Sequence, residues 1–203
     1  MTRAAYRLSV LFASLALLVT AGGPVGAEGA ATFFDVATKK WLTYGRGARH
    51  SDVSPIKREV VAYAGPHGPR TIIVSTSERR LYYTLGDGRA IKYGVGVGRE
   101  GFAWSGAHRV SRKAEWPRWT PPPAMIERRP ELAAYAGGMP GGPDNPLGAR
   151  ALYIGSTLYR IHGTNEAWSI GQAVSSGCIR MANEDVVDLY NRVKVGTRVV
   201  VRH

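Results

Sequence analysis

The chain has 203 residues, 27 Lys and Arg against 15 Asp and Glu for a formal charge of +12, and one cysteine. Once a leader is set aside, that length holds one domain with a good core. A lone cysteine excludes an internal disulfide framework and a thiolate zinc cluster, and no run of five like charges gathers the basicity into a tail.

Arg3 and Arg7 precede an apolar run over residues 8–20, followed by Gly22, Gly23, Pro24 and the small-x-small group Val25-Gly26-Ala27. This is the three-part pattern of a secretory signal peptide, and the apolar run is shorter than the about 20 residues a membrane span needs. Residues 1–27 are therefore expected to be removed on export, with no transmembrane segment left behind. No cysteine follows the run until Cys178, so lipid attachment through an N-terminal cysteine is excluded. With export to the periplasm expected, a pI near 10.2 fits an acidic extracytoplasmic polymer or an anionic membrane surface better than nucleic acid.

Residues 28–69 carry apolar groups (Phe33, Phe34, Trp41, Leu42, Val60, Val61) separated by Gly, Ser, Asp and Pro breaks. They read as an N-terminal arm packed on the domain, extended or partly disordered. The domain itself is expected over 70–203. Thr71-Ile72-Ile73-Val74-Ser75 reads as a strand, and Leu81, Tyr83 and Leu85 alternate in the next. After the turn Gly86-Asp87-Gly88-Arg89, the residues Ile91, Tyr93, Val95 and Val97 alternate again, which makes a β-meander. Gly96, Gly98 and Gly101 match G-x-G-x-x-G, but no helical period follows, so strand ends or a bulge beside a cleft explain these glycines better than a dinucleotide.

A strand is expected over 108–116 and a helix from Pro122 or Pro123 to Ala136, kinked or split at Pro130. The Gly/Pro loop over 137–148 is either a lid on a groove or a plain surface excursion. Ala151-Leu152-Tyr153-Ile154-Gly155 and Leu158-Tyr159-Arg160-Ile161-His162 read as a hairpin that delivers His162 at a strand end. Asn183 is expected to cap a helix with Val186, Val187, Leu189, Tyr190 and Val193 on its apolar face, before a closing strand at Thr197-Arg198-Val199-Val200-Val201. The fold class is mainly β, a β-rich α+β domain.

An exported lone thiol is either buried and inert or reactive. A free thiol with a pKa near 8.5 is only a few per cent thiolate at neutral pH, so a histidine that takes its proton creates the nucleophile. Cys178 follows Gly177, and His162 stands sixteen positions earlier beside Gly163. Gly177 lets the backbone bend to expose the sulfur and to turn amide groups of Gly177 and Cys178 toward an attacked carbonyl oxygen. Arg180 either holds a substrate carboxylate or pairs with Glu184 or Asp185. His50, His67, His108 and His203 lack metal-type spacing, so no metal is expected.

Ile161-His162-Gly163-Thr164 followed by Ser175-Ser176-Gly177-Cys178-Ile179-Arg180-Met181 resembles the signature of the L,D-transpeptidase (YkuD-type) catalytic domain, and the likeness extends from about Thr71 to Val201. The resemblance implies a β-sandwich particular to that family with a helix after the cysteine loop, a thioacyl-enzyme, peptidoglycan stem peptides as substrate and no cofactor. It makes Cys178 the nucleophile, His162 its base, and the Gly163 carbonyl the group that orients the imidazole. Many members carry histidine where this chain has Ser176, which places proton transfer on His162 alone and leaves open whether Ser175 or Ser176 assists. The implied reaction forms 3-3 cross-links or attaches an amine-bearing outer-membrane protein to the wall. The alternatives are a hydrolase that trims stems with water as acceptor, and a non-enzymatic wall-binding module whose cysteine is buried.

Overall fold

The computed structural model of the protein describes residues 31–35, 39–44 and 53–203. The expected signal segment and the remainder of the arm before Val53 lie outside the described residues. Strands β1 (Ala31–Asp35) and β2 (Lys40–Tyr44) pair antiparallel as a separate two-stranded sheet. The arm ends in β3 (Glu59–Ala62), and the meander follows as β4 (Ile72–Ser75), β5 (Arg80–Thr84) and β6 (Arg89–Gly94). Alternation placed their inward residues correctly: Leu81 and Tyr93 are fully buried, and Ile91, Val95 and Val97 join the same core.

Next come β7 (Val97–Gly98) and the long β8 (Gly106–Glu115). Helix α1 (Pro123–Arg128) stops before Pro130, and a 3-10 turn over Pro130–Tyr135 continues it, because a proline ring clashes with the preceding turn. The hairpin is β9 (Arg150–Ile154) and β10 (Arg160–His162). Then follow β11 (Ala173–Ser175), β12 (Ile179–Arg180), α2 (Asn183–Arg192) and β13 (Arg198–Arg202).

Nine strands form one sheet in the order β12-β10-β9-β8-β13-β4-β5-β6-β3. The last strand therefore lies in the middle, parallel to β4 and antiparallel to β8, with Val199 and Val201 buried. At the far end, β12 returns to Gly96 just after β6: the Gly96 and Arg180 amides each donate to the other's carbonyl at 2.9 and 2.8 Å. The sheet thus folds back on itself around one core that joins Ile72, Val74 and Leu81 from one half to Leu152, Ile161 and Ile179 from the other.

Helix α2 contributes Val186 and Leu189 to this core. Lys113 of β8 donates from Nζ to the carbonyls of Tyr190 and Val193, each at 2.6 Å, and so neutralises the negative end of that helix. Asn183 does not cap α2 as expected. Ala182 holds the cap position, and Asn183 Oδ1 instead accepts the Ala149 N–H at 2.9 Å, because the Gly148-Ala149 backbone crosses there against Gly163.

The arm from Ser54 onward is built into the domain. Ile56 packs with Ile170 and Ala182, and β3 pairs with β6 at the sheet edge. The Gly/Pro loop is pinned at its base by the buried Asn145, whose Nδ2 donates to the carbonyls of Pro117, Met139 and Pro140 at 2.9–3.3 Å.

Candidate active site

Strands β10 and β12 run parallel, with Ile161 opposite Ile179 and His162 opposite Arg180. Both isoleucines face the core. Side chains alternate along a strand, so His162 and Arg180, one residue further on, point to the other face, and so do Arg160 and Cys178, one residue back. The fold thus brings the expected base and nucleophile to one face of neighbouring strands. Cys178 is half-buried, not sealed in the core, and its sulfur lies 4.0 Å from the Leu158 carbonyl.

His162 is buried, and its Nδ1 lies 2.5 Å from the Gly163 carbonyl oxygen. A carbonyl only accepts, so Nδ1 carries the proton and Nε2 presents a lone pair. Burial, then the nearby charge of Arg180, holds the imidazole far below its ordinary value, at about 3, against an upward pull from the Gly163 bond, with Arg160 adding the smallest downward push. The ring is therefore neutral at physiological pH. No side chain fits at Gly163: a Cβ there would fall against Asn183 Oδ1 and the Ala149 amide.

The cysteine turn is clamped on both sides. The Ser175 hydroxyl accepts the Gly177 N–H at 3.2 Å and donates to the Cys178 carbonyl at 2.6 Å. Gly177 has φ +105, and its carbonyl accepts the Trp104 indole N–H at 2.8 Å. Trp104 stacks flat on Tyr159, with centroids 4.6 Å apart, and the Tyr159 ring occupies the place where a side chain on residue 177 would be.

This geometry bears on three of the expected site residues. The Gly177 amide is already used by Ser175 and so is not a free oxyanion donor. Ser175 is buried and braces the turn with both of its bonds, so it does not face substrate. Arg180 pairs with neither Glu184 nor Asp185. Its Nη1 lies 2.7 Å from Glu166 Oε2, because the 3-10 turn Ala167–Ser169 and the preceding Glu166 fold back over β12, while Asp185 is taken by Arg58 at 3.2 Å. Ser176 is half-exposed beside the clamped turn. Glu166, Trp104 and Tyr159 were missed on sequence. Gly96 and Gly98, of the glycine-rich motif, are used for close approach: Gly96 to Arg180, and Gly98 to Phe102 and Gly177.

Comparison with known proteins places the fold in a family. The profile of the YkuD family, the L,D-transpeptidase catalytic domain, matches residues 69–201. "Probable L,D-transpeptidase ErfK/SrfK" of Escherichia coli K12 is 42% identical over 139 residues, 64% of this chain and 43% of that protein. "Probable L,D-transpeptidase YbiS" of the same strain is 43% identical over 134 residues. The match thus spans less than half the length of these curated relatives, 43% of each. Among solved structures, a Brucella melitensis protein described as a probable carnitine operon oxidoreductase is 44% identical, with TM-score 0.50 over 70% of this chain and 91% of that one. An L,D-transpeptidase from Mycobacterium tuberculosis H37Rv shares the fold at 20% identity, with TM-score 0.51 over 67% of this chain and 59% of that one. With β10 and β12 side by side and the family's profile matched from the start of the meander through the closing strand, the chain belongs to the L,D-transpeptidase catalytic-domain family.

Proposed function

We propose that the chain is a cysteine-dependent L,D-transpeptidase acting on peptidoglycan stem peptides in the periplasm. The observation that carries this reading is the placement of a half-buried thiol, one residue before β12, on the same sheet face as a neutral histidine of the adjacent parallel strand β10, whose Nδ1 is held by Gly163. Nε2 of His162 takes the proton from the Cys178 thiol as the sulfur attacks the carbonyl of the third stem residue. The bond to the terminal D-alanine breaks, and His162 returns the proton to the departing amine. The thioester is then attacked by an acceptor amine, whose proton passes through His162 to regenerate the thiol. The new bond is a 3-3 cross-link or a link to an amine-bearing outer-membrane protein. The oxyanion donor we assign is the Cys178 amide, since that of Gly177 is engaged.

Burial and the two arginines disfavour an imidazolium, so His162 rests as a neutral base ready to accept a proton. Gly96 and Gly98 lie against backbone and open no helix, which supports acyl transfer over the oxidoreductase named for the Brucella relative. The test is intact-mass analysis of the mature protein with tetrapeptide stems and, separately, a carbapenem. A thioester adduct on Cys178 that is lost in Cys178→Ala is expected, and its absence with both reagents would overturn the reading. Product ratios with and without added amine separate transfer from hydrolysis.

A further inference from the structure

Arg180, the arginine that the cysteine motif offers for reading a carboxylate, is already paired with Glu166. A second arginine on the same face is differently placed. Arg160 stands two residues before His162 on β10, and the parallel register continued by one step sets it opposite Cys178. It lies close enough to His162 for its charge to act on that ring. Its Nε is buried without a hydrogen bond, and among the described residues its guanidinium forms no ion pair.

Arg160 is instead held against an aromatic ring. Its guanidinium carbon is 5.3 Å from the centre of Tyr153, and that of Arg112 is 3.6 Å from the same ring. Tyr153 is the cross-strand partner of both arginines, so Arg112, Tyr153, Arg160 and Cys178 form one row across β8, β9, β10 and the approach to β12. A bulge makes the row possible. The ladder between β8 and β9 shifts register between Val110 and Arg112, with the Ser111 hydroxyl donating to the Gly155 carbonyl at 2.7 Å. The extra residue turns Arg112 to the outer face opposite Tyr153 and sends Lys113 inward to α2.

Two like charges directed at one ring repel each other, and a carboxylate bound between them offsets that repulsion. A planar guanidinium steadied by an aromatic face is also well suited to two parallel hydrogen bonds to a carboxylate. The same pair of cations repels a protonated amine, so the row suits the anionic acyl donor better than the amine acceptor. We propose that Arg160, steadied by Tyr153 and backed by Arg112, forms a carboxylate-binding subsite for the acyl donor beside Cys178. This rests on the acyl-transfer reading above.

The test uses synthetic tetrapeptide donors that differ only in having each free carboxylate converted in turn to an amide, with acylation of Cys178 followed by intact mass. The wild-type protein is expected to prefer one carboxylate donor over its amide by roughly 10- to 100-fold in kcat/KM, carried mainly by KM. In Arg160→Met that preference collapses toward one, and Arg160→Lys restores part of it. Arg160→Met that retains the full preference, or a wild type that shows none, would overturn the subsite while leaving acyl transfer standing. A wild type that forms no adduct with any donor would remove the acyl-transfer reading and the subsite with it. Circular dichroism on each variant identifies loss of fold.

Discussion

His162 and Asp185 tilt the stability of this domain in opposite directions as pH changes. The His162 imidazole is depressed from 6.5 to about 3, chiefly by burial. Between those values the unfolded chain binds a proton that the folded chain refuses, so stability is lost as pH falls. Asp185 is raised from 3.8 to about 6, first by burial and then by Glu184, with Arg58 opposing. Between those values the folded chain binds the proton first, so stability is gained as pH falls. From pH 7 to pH 4, His162 costs about 3 kcal/mol and Asp185 returns about 2 kcal/mol. Together the two groups leave a nearly level profile. His162→Gln should therefore gain about 3 kcal/mol relative to wild type on going from pH 7 to pH 4, and Asp185→Asn should lose about 2 kcal/mol over the same range. Urea unfolding at four pH values measures this, and taking differences from wild type cancels the carboxylates common to all three proteins. If the His162→Gln difference stays constant with pH, the histidine is not buried as a neutral base and the proton-transfer scheme loses its foundation.

Ser175→Ala leaves the Gly177 amide without its buried acceptor and should cost about 1–3 kcal/mol while slowing acylation of Cys178; denaturation and adduct formation measure the two effects. Gly177→Ala meets both a φ of +105 and the Tyr159 ring, and should lose about 1–3 kcal/mol together with the native near-ultraviolet signal of the Trp104–Tyr159 stack. Lys113→Met removes both bonds to the end of α2 and should lower stability by about 1–2 kcal/mol in thermal unfolding. Arg109 and Arg198 face each other across β8 and β13, so Arg198→Thr should stabilise by about 0.2–1 kcal/mol at low salt, a gain that shrinks as salt is added.

The strands were legible wherever one face is buried, because a period of two repeats inward residues along a single segment, as with Ile91, Tyr93, Val95 and Val97. The same rule delivered His162 to a strand end. Strands β7, β11 and β12 hold two or three residues each, too few for any period, and exist only because neighbouring segments pair with them. Partners were less legible than positions. Arg180 was left open between a substrate carboxylate and the nearest acids in sequence, Glu184 and Asp185, but a 3-10 turn folded Glu166 over it from fourteen residues back. Asn183 has the chemistry of a cap, yet a crossing of two glycine-bearing segments needed its oxygen more. Arg160 could have been found by counting two residues back along the same strand face from His162.

The two-residue strand that leads away from the cysteine has backbone neighbours on both sides, β10 on one and Gly96 on the other. An incoming peptide therefore finds no vacant ladder to extend at that strand, and recognition there cannot come from main-chain pairing, which reads every sequence alike. Choice among substrates is left to side chains standing on the face, such as those of the Arg112–Tyr153–Arg160 row. Such residues can be exchanged without disturbing the scaffold, so a lineage built on this fold is free to change what it accepts while its cysteine turn stays unaltered.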